Sequence, residues 1–285
     1  MSDSNRLIDL LASTEKFFLR KGIESPRRNA EAIFAHALGV PRIELYVQHD
    51  RPVNDFELIA LRELIRRRAN REPLQYLLGK LDFAGVEIVP RPGLLIPRPE
   101  TEELVVELSK HVPSGARILD IGAGTGCISV ALAKSCVDCQ VVAADIDPDA
   151  VESTSLNARR NEVAEHIASI TADLFDDNFP AKCGAPFDVV VSNPPYIREA
   201  EWKSLQTEVK DFERKHALVS GSEGDECYVR IAQLLPGLLK SRGILALEFG
   251  HDQAGRIRRL FTSILTRFDI YHDMQGVERY LIGNY

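Results

Sequence analysis

From Thr101 onward the chain alternates short apolar strands with helices, and no other feature constrains its fold as strongly. Apolar runs at Arg117–Ile121, Val141–Asp145, Ile167–Ala172, Phe187–Ser192 and Ile244–Phe249 predict strands. Helical spacing between them predicts helices over about 101–111, Ile128–Lys134, Asp149–Asn161 and Tyr228–Lys240. Strands that are apolar throughout, separated by helices, specify an α/β fold: a parallel sheet covered on both faces. The last two strands, Phe268–Asp273 and Arg279–Ile282, flank a turn at Gly276 and predict an antiparallel pair closing that sheet.

The first seventy or so residues follow a different pattern. Leu7, Leu10, Leu11, Phe17 and Phe18 give helical spacing up to Gly22, and Ser25-Pro26 opens a second helix ending at Gly39. A short third segment holds Leu45 and Val47. Asn54 caps a fourth helix with an apolar set of Phe56, Ile59, Leu61 and Leu64 before Arg66-Arg67-Arg68. The charge of the chain is −7, divided as about +2 up to Pro73 and about −9 beyond it. The predicted organisation is a helical module over 1–73, a proline-punctuated connector over 74–100 in which Phe83–Val89 is strand-like, and a main domain over 101–285.

Two patterns in the main domain carry chemistry. Asp120-Ile121-Gly122-Ala123-Gly124-Thr125-Gly126 follows a strand and opens a helix, where glycines permit a sharp turn and a close approach of backbone to ligand. Asp145 ends the next strand, where its carboxylate can accept from both hydroxyls of a ribose. The dinucleotide fingerprint spaces its glycines G-x-G-x-x-G to seat a pyrophosphate. Here the spacing is G-x-G-x-G with an acid beside it, which repels phosphate and suits a cationic amino-acid group. S-adenosylmethionine is the predicted cofactor, held by Gly122, Ala123, Gly124, Thr125, Gly126 and Asp145. Asp173 is placed to meet the adenine amino group, with Leu174 covering the ring.

The second pattern, Asn193-Pro194-Pro195-Tyr196, follows the fourth strand of the domain. Consecutive prolines fix the backbone and remove N–H donors, so carbonyls are left without partners. A planar NH2 substrate needs two acceptors, and the Asn193 side-chain oxygen and the Pro194 carbonyl supply them. Asn193, Pro194, Pro195 and Tyr196 are therefore the candidate catalytic and substrate-binding residues, with Tyr196 against the flat face of the substrate group and Asn193 also touching the cofactor.

Over nearly its whole length the chain resembles the protein-(glutamine-N5) methyltransferases of class 1 peptide-chain release factors. The resemblance lies in Arg71-Glu72-Pro73-Leu74-Gln75-Tyr76-Leu77-Leu78-Gly79, in Leu94-Leu95-Ile96-Pro97-Arg98-Pro99-Glu100-Thr101-Glu102, in the glycine turn and in Asn193–Tyr196. It implies a small all-α helical bundle that recognises the substrate, a β-hairpin linker and a Rossmann-like, seven-stranded S-adenosylmethionine-dependent methyltransferase domain. It also implies that the methyl group goes to the glutamine of the Gly-Gly-Gln loop in release factors. The chain departs from the family at Arg214, where proline is usual after Phe212-Glu213, and over Ser220–Arg230.

Other functions are disfavoured. Methylation of an exocyclic amine of adenine or guanine in DNA or RNA offers the same NH2 geometry, but it needs a positive track for phosphates that an acidic main domain lacks. Cys136-Val137-Asp138-Cys139 has no second pair to complete a zinc site, so no metal is expected. The first six residues show no secretory signal, no apolar run approaches the roughly 18 residues of a membrane span, and the odd cysteine count suits a reducing compartment. The expectation is a cytoplasmic monomer acting on a protein, without a membrane or a nucleic-acid substrate.

Overall fold

The computed structural model describes residues 5–285, so most of the segment read for a secretory signal lies outside the described residues. The chain forms two compact units, one ending at Lys80 and the other spanning Leu81–Tyr285.

The first unit contains α1 (Leu7–Arg20), α2 (Pro26–Leu38), α3 (Glu44–Val47), α4 (Asp55–Ala69) and α5 (Leu74–Leu78). Pro26 occupies the first position of α2, and Gly39 ends it at φ +64. Asn54 and Glu57 form a reciprocal capping box on α4, an arrangement that stabilises by about 1 kcal/mol. Arg66, Arg67 and Arg68 sit in its last turn, where cations complement the helix dipole. Leu7, Leu11, Phe18, Ile33, Phe34 and Leu45 are buried together; each such side chain contributes roughly 1.5–3 kcal/mol on leaving water. Of the apolar set expected on α4 only Leu61 is buried and Leu64 is half-buried, whereas Phe56 and Ile59 are 86% and 64% exposed and Leu58, outside that set, is buried. The helical spacing that buries Leu58 and Leu61 turns Phe56 and Ile59 to the other side.

The second unit opens with a hairpin, β1 (Leu81–Phe83) and β2 (Val86–Ile88), paired antiparallel. Ala84 and Gly85 both take positive φ between them, so the strand-like run over Phe83–Val89 is interrupted by a tight turn. Asn157 and Asn161 then satisfy the backbone N–H groups of Val89 and Glu87 from the neighbouring helix.

The remaining elements are α6 (Pro99–Ser109), β3 (Arg117–Ile121), α7 (Cys127–Ser135), β4 (Gln140–Asp145), α8 (Pro148–Arg160), β5 (Ile167–Thr171), α9 (Phe179–Cys183), β6 (Phe187–Ser192), α10 (Thr207–Phe212), α11 (Glu226–Leu238), β7 (Leu239–Glu248), α12 (Ala254–Phe261), β8 (Arg267–His272) and β9 (Glu278–Asn284). The seven-stranded sheet runs in the order β5-β4-β3-β6-β7-β9-β8, with β9 antiparallel to both its neighbours and the other pairs parallel. Alternation along the strands divides the core. Ile118, Val189, Val191 and Ala246 pack on one face with α6 and α7, while Leu119, Val190, Leu245 and Leu247 pack on the other with α11 and α12. The expected fold class is therefore present. β7 starts earlier than its apolar run, because Leu239 already pairs with Phe187; the exposed Lys240–Arg242 fall in an irregularity before regular pairing resumes at Ile244. α12 has no counterpart in the expectations, although Ala254, Ile257 and Phe261 are buried at helical spacing.

Strand order reverses at β3, which lies between β4 and β6. In open α/β sheets such a switch point leaves a crevice at the carboxyl ends of the strands. The glycine turn after β3, Asp145 at the end of β4, Asp173 after β5 and Asn193 after β6 all reach this edge.

Candidate functional site

A cavity of about 820 Å³ opens at the switch point, within the usual range for a small-molecule site. Its wall includes Gly122, Ala123, Gly124 and Thr125 from the turn, and Asp145, Asp173 and Leu174 from the strand ends. Asn193, Pro194 and Pro195 complete it from β6. The structure thus brings two sequence patterns about 70 residues apart onto one surface.

Each carboxylate oxygen of Asp145 takes one backbone N–H: Oδ2 from Gly124 and Oδ1 from Asp147, both at 2.9 Å. These bonds fix the carboxylate and leave each oxygen a second lone pair. Burial pushes its carboxyl above the ordinary aspartate range against those two hydrogen bonds. Gly122 and Gly124 have φ of +74 and +56, and a Cβ on either would meet no protein atom within 4 Å. Gly126 does not line the cavity. At φ +79 its Cα faces Thr154 of α8, so its lack of a side chain serves helix packing.

Asp120 behaves differently from its expected electrostatic part. It is fully buried, donates nothing to the cavity wall and accepts from Ser129 Oγ at 2.6 Å. Burial pushes its carboxyl up to about 7, the charge of Asp145 adding to the effect and the Ser129 bond opposing it. The acid expected to favour a cationic ligand is thus only partly ionised near neutral pH. What fits a nucleoside with an amino-acid tail is the rest of the wall: Asp145, two side-chain-free glycines and the buried Thr125 hydroxyl. Those same residues would hold S-adenosylmethionine.

At the β6 side, Ser192 Oγ donates to Ile121 O at 2.7 Å and ties the loop to β3. Asn193 Nδ2 donates to Thr101 Oγ1 at 3.0 Å, and Thr101 donates to Glu248 Oε2 at 2.6 Å. Tyr196 does not line the cavity. Its N–H donates to Leu218 O, its carbonyl accepts from Gln253 Nε2, and its ring packs beside the core near Gly250. Burial pushes its hydroxyl pKa up, with the charge of Glu248 acting in the same sense.

Several residues at or behind the wall are not identified by sequence reasoning. Thr101 and Glu248 lie in a proline-rich segment and at a strand end with no local signal of their own. Arg214, a departure from the family pattern, lines the cavity and pairs with Asp147 and Asp149. Burial alone would raise the Asp147 pKa, but Arg214 holds it below the ordinary range. Arg98 donates to buried Glu213 at 2.6 Å, and Gly93 exchanges backbone hydrogen bonds with Phe212 and Arg214. The segment before α6 is thereby fastened to the segment after α10 at the cavity wall. Among the described residues no group of three or more His, Cys, Asp or Glu is arranged to hold a metal ion, and no helix is long and apolar enough to cross a membrane.

Residues 9–79 match the PrmC N-terminal domain family and residues 99–217 match the Methyltransferase small domain family. The release factor glutamine methyltransferase of Chlorobaculum tepidum is 39% identical over 281 residues, covering 96% of this chain and 95% of its own. That of Geobacter sulfurreducens is 42% identical over 273 residues, covering 95% and 93%. Among solved structures, a methyltransferase from Pyrococcus furiosus superposes with a TM-score of 0.51 at 19% identity, covering 70% of this chain and 89% of that one. The hMettl16 catalytic domain, solved with a MAT2A 3′UTR hairpin, superposes with a TM-score of 0.55 at 17% identity, covering 78% and 81%. At such identities the two structures share the fold.

Proposed function

Because the chain belongs to the release factor glutamine methyltransferase family, we propose that it methylates the side-chain amide nitrogen of the glutamine in the Gly-Gly-Gln loop of class 1 release factors. It is an S-adenosylmethionine-dependent methyltransferase. The observation that carries the reading is the single cavity wall running from the glycine turn and Asp145 to Asn193-Pro194-Pro195.

Bound S-adenosylmethionine supplies a methyl group activated on a sulfonium. An amide nitrogen is a poor nucleophile, since its lone pair is delocalised into the carbonyl. Asn193 Oδ1 and the Pro194 carbonyl accept the two N–H hydrogens, which aims the nitrogen and stabilises its growing acidity. Pro195 and Tyr196 keep the loop rigid around the flat amide. No side chain acts as a general base, and the proton passes to water during or after transfer. Asp145 would hold the ribose, the turn Gly122–Gly126 would accommodate the cofactor, and Asp173 with Leu174 would border the adenine.

Residues 1–73 recognise the release factor, 74–100 connect, and 101–285 carry catalysis, in a cytoplasmic monomer with no nucleic-acid substrate. The acidic balance of the main domain supports a protein substrate over a phosphate backbone. The test is transfer of labelled methyl from S-adenosylmethionine to a purified release factor, with single-stranded and duplex nucleic acids as competing acceptors. Labelling of the factor alone is expected; labelling of adenine or guanine alone would replace this function with base methylation.

A further inference from the structure

The amide of Asn193 has two ends of nearly identical shape, and only one of them serves an NH2 substrate. Its orientation is set from behind. Asn193 Nδ2 meets Thr101 Oγ1 at 3.0 Å, and Thr101 Oγ1 meets Glu248 Oε2 at 2.6 Å. Thr101 lies in the first turn of α6 and Glu248 ends β7; each is only 2% exposed. A threonine hydroxyl carries one hydrogen and two lone pairs. An ionised carboxylate can only accept, so Glu248 takes that hydrogen. The Thr101 oxygen is then restricted to accepting, and Asn193 must turn its NH2 toward it. Oδ1 is left to the cavity side, with no protein donor among the described residues.

We propose that Thr101 and Glu248 are positioning residues for the methyl transfer: together they hold the Asn193 amide with Oδ1 presented to the substrate nitrogen. The proposal rests on the function given above. With the amide reversed, two donors would face the two hydrogens of the substrate and repel them. Neither Thr101 nor Glu248 exchanges a proton with the substrate; they act through Asn193.

The arrangement depends on the charge of Glu248. A protonated Glu248 can itself donate to Thr101, which frees the threonine hydrogen for Asn193 Oδ1 and reverses the amide. Arg98 and Glu100 at the head of α6 face Glu248, as do Arg279 and Tyr280 on β9, Tyr228 on α11, Cys127 on α7 and Tyr196 on the loop after β6. Tyr228 donates to the Glu248 carbonyl oxygen at 3.1 Å. Burial pushes the Glu248 carboxyl up to about 7, with Glu100 adding to the rise and Arg279 and Arg98 opposing it. The ionised state that orients Asn193 therefore prevails on the alkaline side of that value.

Two measurements test the proposal. In 15N-labelled full-length protein, the Asn193 side-chain NH2 resonances are identified by their loss in Asn193→Ala. They should shift as Glu248 titrates around neutrality, and the shift should vanish in Glu248→Gln. In single-turnover methylation of a release factor at saturating cofactor, Thr101→Val should lower the rate on the order of 10- to 100-fold, the usual effect of removing a partner that orients a primary ligand. Thr101→Ser should restore it to within about threefold, and the cofactor Kd should stay within about threefold in both variants. An Asn193 signal that stays flat across neutrality in the wild type would overturn the proposal without reference to any variant's folding. So would a Thr101→Val rate equal to wild type, or a loss that Thr101→Ser fails to rescue. A wild-type protein that leaves the release factor unmethylated refutes the function instead, and the resonance titration still decides the positioning.

Discussion

The glycine turn contains two kinds of glycine, and alanine substitution should separate them. A Cβ on Gly126 would lie 2.8 Å from Thr154 Cγ2 and Oγ1 and 2.9 Å from Thr154 Cα. The last of these is backbone, and Thr154 is buried, so no flexible side chain can withdraw. The left-handed φ of Gly126 adds about 1–2 kcal/mol for any residue with a Cβ, and overpacking adds about 1–3 kcal/mol. A loss of roughly 2–5 kcal/mol lowers Tm on the order of 5–15 °C in a unit of this size. Gly124→Ala carries only the backbone cost, about 1–2 kcal/mol, because its Cβ meets nothing within 4 Å. The space it enters belongs to the cavity wall, so cofactor affinity should fall roughly 10- to 100-fold from a steric cost of about 1–3 kcal/mol. Thermal melts with and without S-adenosylmethionine read both quantities, since the ligand-induced shift follows the Kd. The expected pattern is a Gly126→Ala protein that melts early yet responds to the cofactor, and a Gly124→Ala protein that melts nearly normally and responds little. The reverse pattern would refute the division of roles.

Asp145→Ala should weaken S-adenosylmethionine binding by about 1–3 kcal/mol, the cost of leaving the ribose hydroxyls unpaired, as read by isothermal titration; unchanged affinity would remove Asp145 from the ribose site. Asn193→Ala should lower the single-turnover rate on the order of 100- to 1000-fold with a much smaller change in cofactor Kd, and a rate within about threefold of wild type would leave the motif a rigid turn. Asp120 and Glu248 both keep their proton in the fold up to about 7, well above the pH at which the unfolded chain releases it. Stability should therefore fall as pH rises from the ordinary carboxylate range to about 7 and level off above it, so Tm at about pH 8 should be lower than at about pH 6. Asp120→Asn or Glu248→Gln should flatten that slope, and a slope unchanged in both variants would contradict the assignment. A fragment starting at Leu81 should bind the cofactor yet methylate the release factor poorly; full-rate methylation would deny the N-terminal unit its recognition role.

Much of this was readable because the decisive signals are local. Val189-Val190-Val191 announces a strand buried on both faces, and Asn54 announces a helix start, whatever the rest of the chain does. Asp145 and Asn193 are legible as site residues since each closes a recognisable strand at the edge where parallel sheets bind ligands. Thr101 and Glu248 are not, because their part depends on a hydrogen-bond path linking residues 147 positions apart. Gly126 shows the opposite limit. Its spacing places it with the other glycines of the turn, and only the position of Thr154 reveals that it faces a helix. Phe56 and Ile59 are apolar at positions where the helix faces away from the core, and Leu58 and Leu61 mark the face that packs inward.

What defines the enzyme most directly is the atom that accepts the methyl group. Tandem mass spectrometry of a release factor after incubation with the enzyme and isotopically labelled S-adenosylmethionine locates the methyl group directly. One added methyl is expected, carried on the side-chain nitrogen of the glutamine in the Gly-Gly-Gln loop and absent when that glutamine is replaced by alanine. A methyl group on any other residue, or one that persists in the alanine variant, would contradict it.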